Sequence, residues 1–271
     1  MELKVTRVEV VDGVATVWLH RPHRRNAWTG RMHAEYRWIM AELDADPAVR
    51  CVVVTGTGND FCVGADSEAL AGHAERGAYD PGLPAEVARP GHGVRPEWDH
   101  DFAWHFGLRV PVIARVNGAC AGVGLVLAAF CDLRVAVADA KVTTATPQLG
   151  LPAEYGLSWL LPRLIGATAA ADLLLTGRIV RADDAVVAPL FNQVVDAGTL
   201  DAAVTMYSER FARAVSPTAV TTAKRQLWGD LMDGDVGGAV DRARALLDRL
   251  MGGPEYREGV AALRERRQPS F

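Results

Sequence analysis

Twice in this chain a short apolar run enters a glycine-rich corner that opens into a helix-like segment. CVVVTG (51–56) leads into TGNDFCVGADSEAL, and VPVIARVNG (110–118) leads into ACAGVGLVLAAF. Apolar runs this short, bounded by glycine, read as strands buried on both faces, which points to an α/β core. The backbone N–H groups of a helix's first turn have no internal partner, and the helix dipole adds partial positive charge there. Two such corners set face to face would hold an oxygen that gains charge during a reaction, each donor contributing about 3–4 kcal/mol in a dry site. The same glycine pattern also fits two ordinary tight turns. Neither corner has the GxGxxG or GxxxxGK[ST] spacing of a phosphate loop.

Composition narrows the function classes. The 271 residues carry 29 Lys plus Arg against 33 Asp plus Glu, a net charge of -4, which argues against a dedicated nucleic-acid binder. An apolar content of 49% is enough for a full core. No apolar run reaches the ~18 residues of a membrane span. The first twenty residues alternate like strands rather than like a signal peptide. The expectation is a soluble, cytoplasmic protein. Cys51, Cys62, Cys120 and Cys131 sit singly among apolar or glycine-rich neighbours and read as small buried hydrophobes, with Cys62 and Cys120 open as nucleophiles. The histidines lack metal-ligand spacing.

Along the chain, residues 3–11 and 14–20 read as strands around the hairpin signal Asp12-Gly13. Thr29 caps a helix with Met32, Tyr36, Ile39, Met40 and Leu43 at a 3.6 period, ended by Asp46-Pro47. Residues 71–100 hold five glycines and four prolines and read as a mobile insertion or lid. A short helix is expected at 101–108, a helix at 122–132, and a strand at 133–139. Further on come a helix near 168–176, a short helix in RADDAVVAPL and a strand in FNQVVD. Helices follow at 199–215 and after Ser216-Pro217, an N-cap with proline at the first position. A helix at 236–251 is expected to turn Val236, Val240, Ala243, Leu247 and Leu250 inward, and a short amphipathic helix ends the chain. The division is a core over 1–196, with a variable insertion at 71–106, and a helical region over 197–271.

FCVGAD (61–66), PVIARVNGACAGVGLVLAAFCDLRVA (111–136) and EYREGVAALRERRQPSF (255–271) resemble the enoyl-CoA hydratase/isomerase (crotonase) family. RRNAW (24–28) resembles its CoA-side motif, and LTGRIVRADDAVVAPLFNQVV (175–195) its helix–strand segment. The resemblance implies an α/β spiral of ββα turns with a helical C-terminal trimerisation region, assembled as a homotrimer or dimer of trimers. It implies an acyl-CoA thioester substrate, with coenzyme A as part of the substrate and no further cofactor, and no nucleic-acid or membrane partner. By position, the amides that polarise the thioester are those of Ala65 and Val123, where the family usually has Gly at 123. Arg24, Arg25 and Ala27 would lie at the CoA entrance, with Asp66 and Gly122 at the two corners. Arg266 matches a lysine that reaches the CoA phosphates. Trp104, with Trp98, Phe102 and Phe106, would line the acyl pocket or simply pack the insertion onto the core.

The sequence departs from the family at its usual glutamate pair, which aligns with Val126 and Thr146. Glu154, in LPAEYGLSW just before a predicted helix start, stands where dienoyl-CoA isomerases and a dehalogenase of the family place a carboxylate. It reads as the acid/base, or as a helix-start acid that serves the dipole alone. Tyr155, Thr146 and Gln148 are candidates to hydrogen-bond substrate or water, and Asp66 and Asp132 read as turn acids. Three functions stay open: a hydratase-like lyase using Glu154, a single-base double-bond isomerase, and a non-catalytic acyl-CoA binder.

Overall fold

A computed structural model describes residues 1–76 and 94–271. Most of the expected lid, residues 77–93, lies outside the described residues. β1 (Thr6–Val11) and β2 (Val14–Leu19) pair antiparallel through Asp12 and Gly13, both at positive φ. β3 (Cys51–Gly56) and β4 (Val112–Val116) continue the sheet in parallel. β5 (Cys120–Ala121) belongs to a second sheet, whereas β6 (Leu133–Val137) returns to the first. β7 (Lys141–Thr143) and β8 (Val180–Arg181) complete the smaller sheet, and β9 (Gln193–Val195) closes the larger one in the order β1-β2-β3-β4-β6-β9. All six residues of β3 are buried, as a parallel strand covered on both faces requires.

α1 (Gly30–Ala45) starts where Thr29 Oγ1 accepts the Met32 N–H at 3.1 Å. α2 (Ser67–Arg76) leaves the first corner and α3 (Val123–Phe130) leaves the second. Every residue of α3 is buried, so it is the spine of the core rather than an amphipathic surface helix. The predicted helix near 168–176 is one of two: α4 (Leu157–Ile165) runs through Pro162, and α5 (Ala167–Thr176) follows at Gly166. The segments at 101–108 and in RADDAVVAPL are only 3₁₀ turns, over Ala103–Gly107 and Ala188–Leu190. α6 (Leu200–Glu209) ends in a wider π turn at 210–214.

α7 (Pro217–Asp230) starts at Ser216, whose hydroxyl accepts the Ala219 N–H. Asp132 fastens it to the core: its carboxylate accepts from Lys224 Nζ at 2.6 Å, Trp228 Nε1 at 2.8 Å and the Val112 amide at 2.7 Å. α8 (Val236–Met251) and α9 (Pro254–Glu265) complete the chain. The inward face expected of α8 is not inward. Val236, Val240 and Leu247 are 80%, 53% and 59% exposed, because nothing among the described residues covers them, whereas Ala243 and Leu250 are half-buried. Among the described residues, no helix is long and apolar enough to cross a membrane.

Candidate active site

The two glycine corners touch. Cys62 and Cys120 form an isolated parallel bridge, and the Ala121 amide donates to the Cys62 carbonyl at 2.9 Å. The approach is too close for side chains: a Cβ on Gly118 would lie 1.8 Å from the Asn59 carbonyl oxygen, and one on Gly124 only 2.5 Å from that of Cys62. At the tips, a Cβ on Gly122 would stand 3.5 Å from Gly64 Cα.

Each corner keeps one amide out of its own hydrogen bonding. Trp28 and Ala65 form a parallel bridge in which the Trp28 amide donates to Gly64 and the Asp66 amide donates to Trp28, both at 2.8 Å. Such a bridge uses the neighbours' groups, so the amide of Ala65 itself faces away from Trp28. Val123 is the first residue of α3 and has no preceding helical carbonyl to meet. Gly122 donates to Thr143, and the first amide to bond back along the helix is that of Val126, to Gly122 at 3.1 Å.

The first corner is clamped by charge. Buried Asp66 accepts from Arg21 at 2.8 Å, from Arg24 at 3.2 Å and from the Glu68 amide at 2.9 Å. Burial by itself would raise its pKa, but these donors hold it at about 2. Asp66 is thus committed to the turn. The Ala27 carbonyl accepts from Arg21 at 2.7 Å, so the CoA-side motif is tied to the same arginine. Arg25 turns elsewhere: it grips Asp60 with two nitrogens, at 2.8 and 2.9 Å, beside a cleft of about 450 Å³ that Asn117 and Lys141 also line. Asn26 and Asn117 hold the 56–60 backbone through its carbonyls.

Glu154 stands in the turn before α4, where Tyr155 and Gly156 take left-handed φ values of 49° and 77°. Partial burial pushes its carboxyl above the usual range, and burial pushes the Tyr155 hydroxyl up to about 12. An aromatic cluster joins this turn to the first corner. Phe102 meets Tyr155 edge-on at 5.1 Å and Trp28 at 5.6 Å. Phe102 is buried with φ at 62°, a strained setting for a bulky residue. Its carbonyl lies 2.5 Å from His105 Nδ1, and the Tyr36 hydroxyl lies 2.7 Å from His105 Nε2. Burial drops the His105 pKa to about 3, so the ring is neutral and carries one N–H. A carbonyl only accepts, so Nδ1 donates to Phe102 and Nε2 accepts the hydrogen bond of the Tyr36 hydroxyl.

Val126 is buried apolar core, and Thr146 is buried just ahead of the 3₁₀ turn Pro147–Leu149. Gln148 is engaged with the Gly177 carbonyl at 2.6 Å. Trp104 is buried and stacked on His105 at 4.1 Å, packing the insertion's end onto the core. Arg266 lies exposed at the C-terminal end of α9. Burial pushes the Cys62 thiol up to about 12 and raises that of Cys120 well above its ordinary value, which disfavours either as a nucleophile. Sequence reasoning passed over Arg21, Asn117 and the Tyr36–His105 pair. Their partners lie 45, 61 and 69 residues away, and only the run of charge in HRPHRRN hinted at the first.

The sequence profile described as enoyl-CoA hydratase/isomerase matches residues 9–271. The chain is 33% identical over 272 residues to 1,2-epoxyphenylacetyl-CoA isomerase of Escherichia coli, covering all of this chain and 98% of that one. It is 30% identical to (E)-benzylidenesuccinyl-CoA hydratase of Thauera aromatica, covering 97% of each. A crystal structure of a probable enoyl-CoA hydratase/isomerase from Mycobacterium abscessus superposes with a TM-score of 0.84 at 34% identity, covering 98% of both chains.

Proposed function

The chain belongs to the enoyl-CoA hydratase/isomerase family, and from that premise we propose that it hydrates an enoyl-CoA through an enolate, with Glu154 as the acid/base. The observation that carries this reading is the contact between the two glycine corners. The Ala65 and Val123 amides donate to the thioester carbonyl, and their grip tightens as negative charge collects on that oxygen. Glu154 takes a proton from the water whose oxygen bonds to Cβ and returns that proton to Cα, so that the elements of water are added across the double bond. A carboxyl raised by burial keeps its proton to higher pH than an exposed one and so suits that transfer. Arg24 and Arg266 serve the CoA phosphates, and arginine can pair phosphate through two nitrogens. Coenzyme A enters only as part of the substrate. The exposed apolar face of α8 supports assembly as a homotrimer or dimer of trimers.

A second reading is favoured by one observation. Val126 and Thr146 stand at the positions of the usual glutamate pair, and neither can act as a base. A double-bond isomerase needs one carboxylate that takes a proton from one carbon and returns it to another, which Glu154 alone can do. Incubation with crotonyl-CoA and with a 3-enoyl-CoA in heavy water separates the two. Hydration products support the first reading, and bond migration with deuterium at carbon supports the second. Glu154→Gln is expected to abolish turnover and spare thioester binding. Tight binding without any reaction in the wild type would make the protein an acyl-CoA binder and overturn both.

A further inference from the structure

The far end of α3 holds a buried charge. Arg134, in β6, is only 6% exposed. Its Nε donates to the Leu190 carbonyl at 2.7 Å, and its Nη1 reaches the carbonyls of Ala128 at 3.4 Å, of Ala129 at 3.1 Å and of Cys131. Ala128 and Ala129 lie in the last turn of α3 and Cys131 is its C-cap, so the guanidinium closes the helix whose first amide is that of Val123. Among the described residues, the guanidinium's hydrogen-bond partners are all carbonyl oxygens. The adjacent acid along the chain, Asp132, is paired with Lys224 Nζ at 2.6 Å, and those two charges offset one another. A neutral donor would cap the same carbonyls. A buried cation without a carboxylate of its own is costly to the fold, so the charge itself calls for a role.

We propose that Arg134 is a positioning residue whose charge acts through α3 to strengthen the pull of the Val123 amide on the thioester oxygen. The eight residues of α3 span about 12 Å at about 1.5 Å per residue. In a helix this short, the partial negative charge of the C-terminal end lies close enough to oppose an anion forming at the N-terminal end. Arg134 cancels that negative pole and leaves the positive one unopposed. The whole helix is buried, so salt and water screen the effect little. A unit charge about 15 Å from the enolate oxygen, at an effective dielectric constant of about 20, changes the rate by about sixfold. The proposal rests on the acyl-CoA reading of the two corners and adds to it a residue that touches no substrate.

The test compares Arg134→Lys, which keeps the charge, with Arg134→Gln and Arg134→Met, which remove it. The probe is butanoyl-CoA labelled with a heavy isotope at the thioester carbonyl, whose infrared stretch is read free and bound. Turnover is followed with crotonyl-CoA and with a 3-enoyl-CoA. In the wild type the bound stretch should fall below that of the free ester. In either neutral variant it should move back towards the free value, and kcat should drop about sixfold with KM changed by less than about twofold, because the lost interaction is strongest with the charged transition state. Arg134→Lys should hold the stretch and keep kcat within about twofold of the wild type. Either neutral variant suffices if the other fails to fold. A stretch and a kcat that stay at wild-type values in a folded neutral variant overturn the proposal and leave Arg134 a helix cap, even where stability falls. So does an Arg134→Lys variant that behaves like the neutral ones. In both cases a lowered stretch in the wild type keeps the reading of the two corners intact, whereas a wild-type stretch that does not move on binding, or no binding at all, overturns both.

Discussion

The two corners present the same kind of backbone amide but are held by different forces. The first is fixed by polar side chains. Asp66 gathers Arg21 and Arg24, Asn26 and Asn117 clasp the loop carbonyls, and Arg25 pairs with Asp60 near the rim. The second is fixed by burial. All of α3 is inside, and glycine at 118 and 124 lets its backbone lie directly on the first corner. The lesson is that one donor's position depends on charge, and so on pH, while the other's depends on volume.

The largest expected effect breaks the packed side. Helix propensity predicts that Gly124→Ala stabilises α3 by up to about 1 kcal/mol. The added methyl would sit 2.5 Å from a backbone oxygen, and overpacking of this kind should win, with a net loss of about 3 kcal/mol in denaturant unfolding. Stability equal to the wild type would show that the corners can separate freely.

Asp66→Asn tests the charged side. The native pKa of about 2 lies below the unfolded carboxylate value, so the contribution is present above the unfolded pKa and is lost as pH falls towards 2. A shift of that size corresponds to about 2–3 kcal/mol at pH 7. Urea titrations at pH 7 and pH 3 should show a wild-type advantage that shrinks in acid, and a gap independent of pH would remove charge as the clamp. Tyr36→Phe comes next. It leaves His105 Nε2 without its donor and loosens the hold on strained Phe102, for about 1–2 kcal/mol of stability. Turnover should fall with little change in KM, since Phe102 supports the Glu154 turn through Tyr155.

The smallest effect carries the opposite sign. Glu154 has a native pKa raised by burial, so its folded form binds protons more tightly than the unfolded chain does. Stability therefore declines as pH rises through the ordinary carboxylate range. Glu154→Gln should raise Tm by about 1–2 °C at pH 8 and leave it unchanged at pH 4, by differential scanning fluorimetry. A lower Tm at pH 8 would mean that the carboxylate stabilises the fold and that its burial has no bearing on chemistry.

Local signals were read well from the chain. Asp12-Gly13, the Thr29 cap, the 51–56 strand and the Ser216-Pro217 helix start all depend on groups a few residues apart. The α8 face shows the limit of that kind of reading. Its 3.6 period is real, but a period says only that an apolar stripe exists, not whether the same chain supplies its cover. Trp104 shows it too, since an aromatic in an insertion suits a pocket wall and a packed core equally well by sequence.

The sequence by itself determined the two strand–glycine–helix corners and the side chains at 126 and 146, a valine and a threonine rather than a carboxylate. Those are properties of residue type and of neighbours along the chain. Only the tertiary structure decided that the corners touch, that Arg21 joins Arg24 on Asp66, and that Phe102 bends through positive φ to link Trp28 with the Glu154 turn. Each of these is a contact between segments dozens of residues apart, where packing and burial outweigh what any short stretch of backbone would adopt alone.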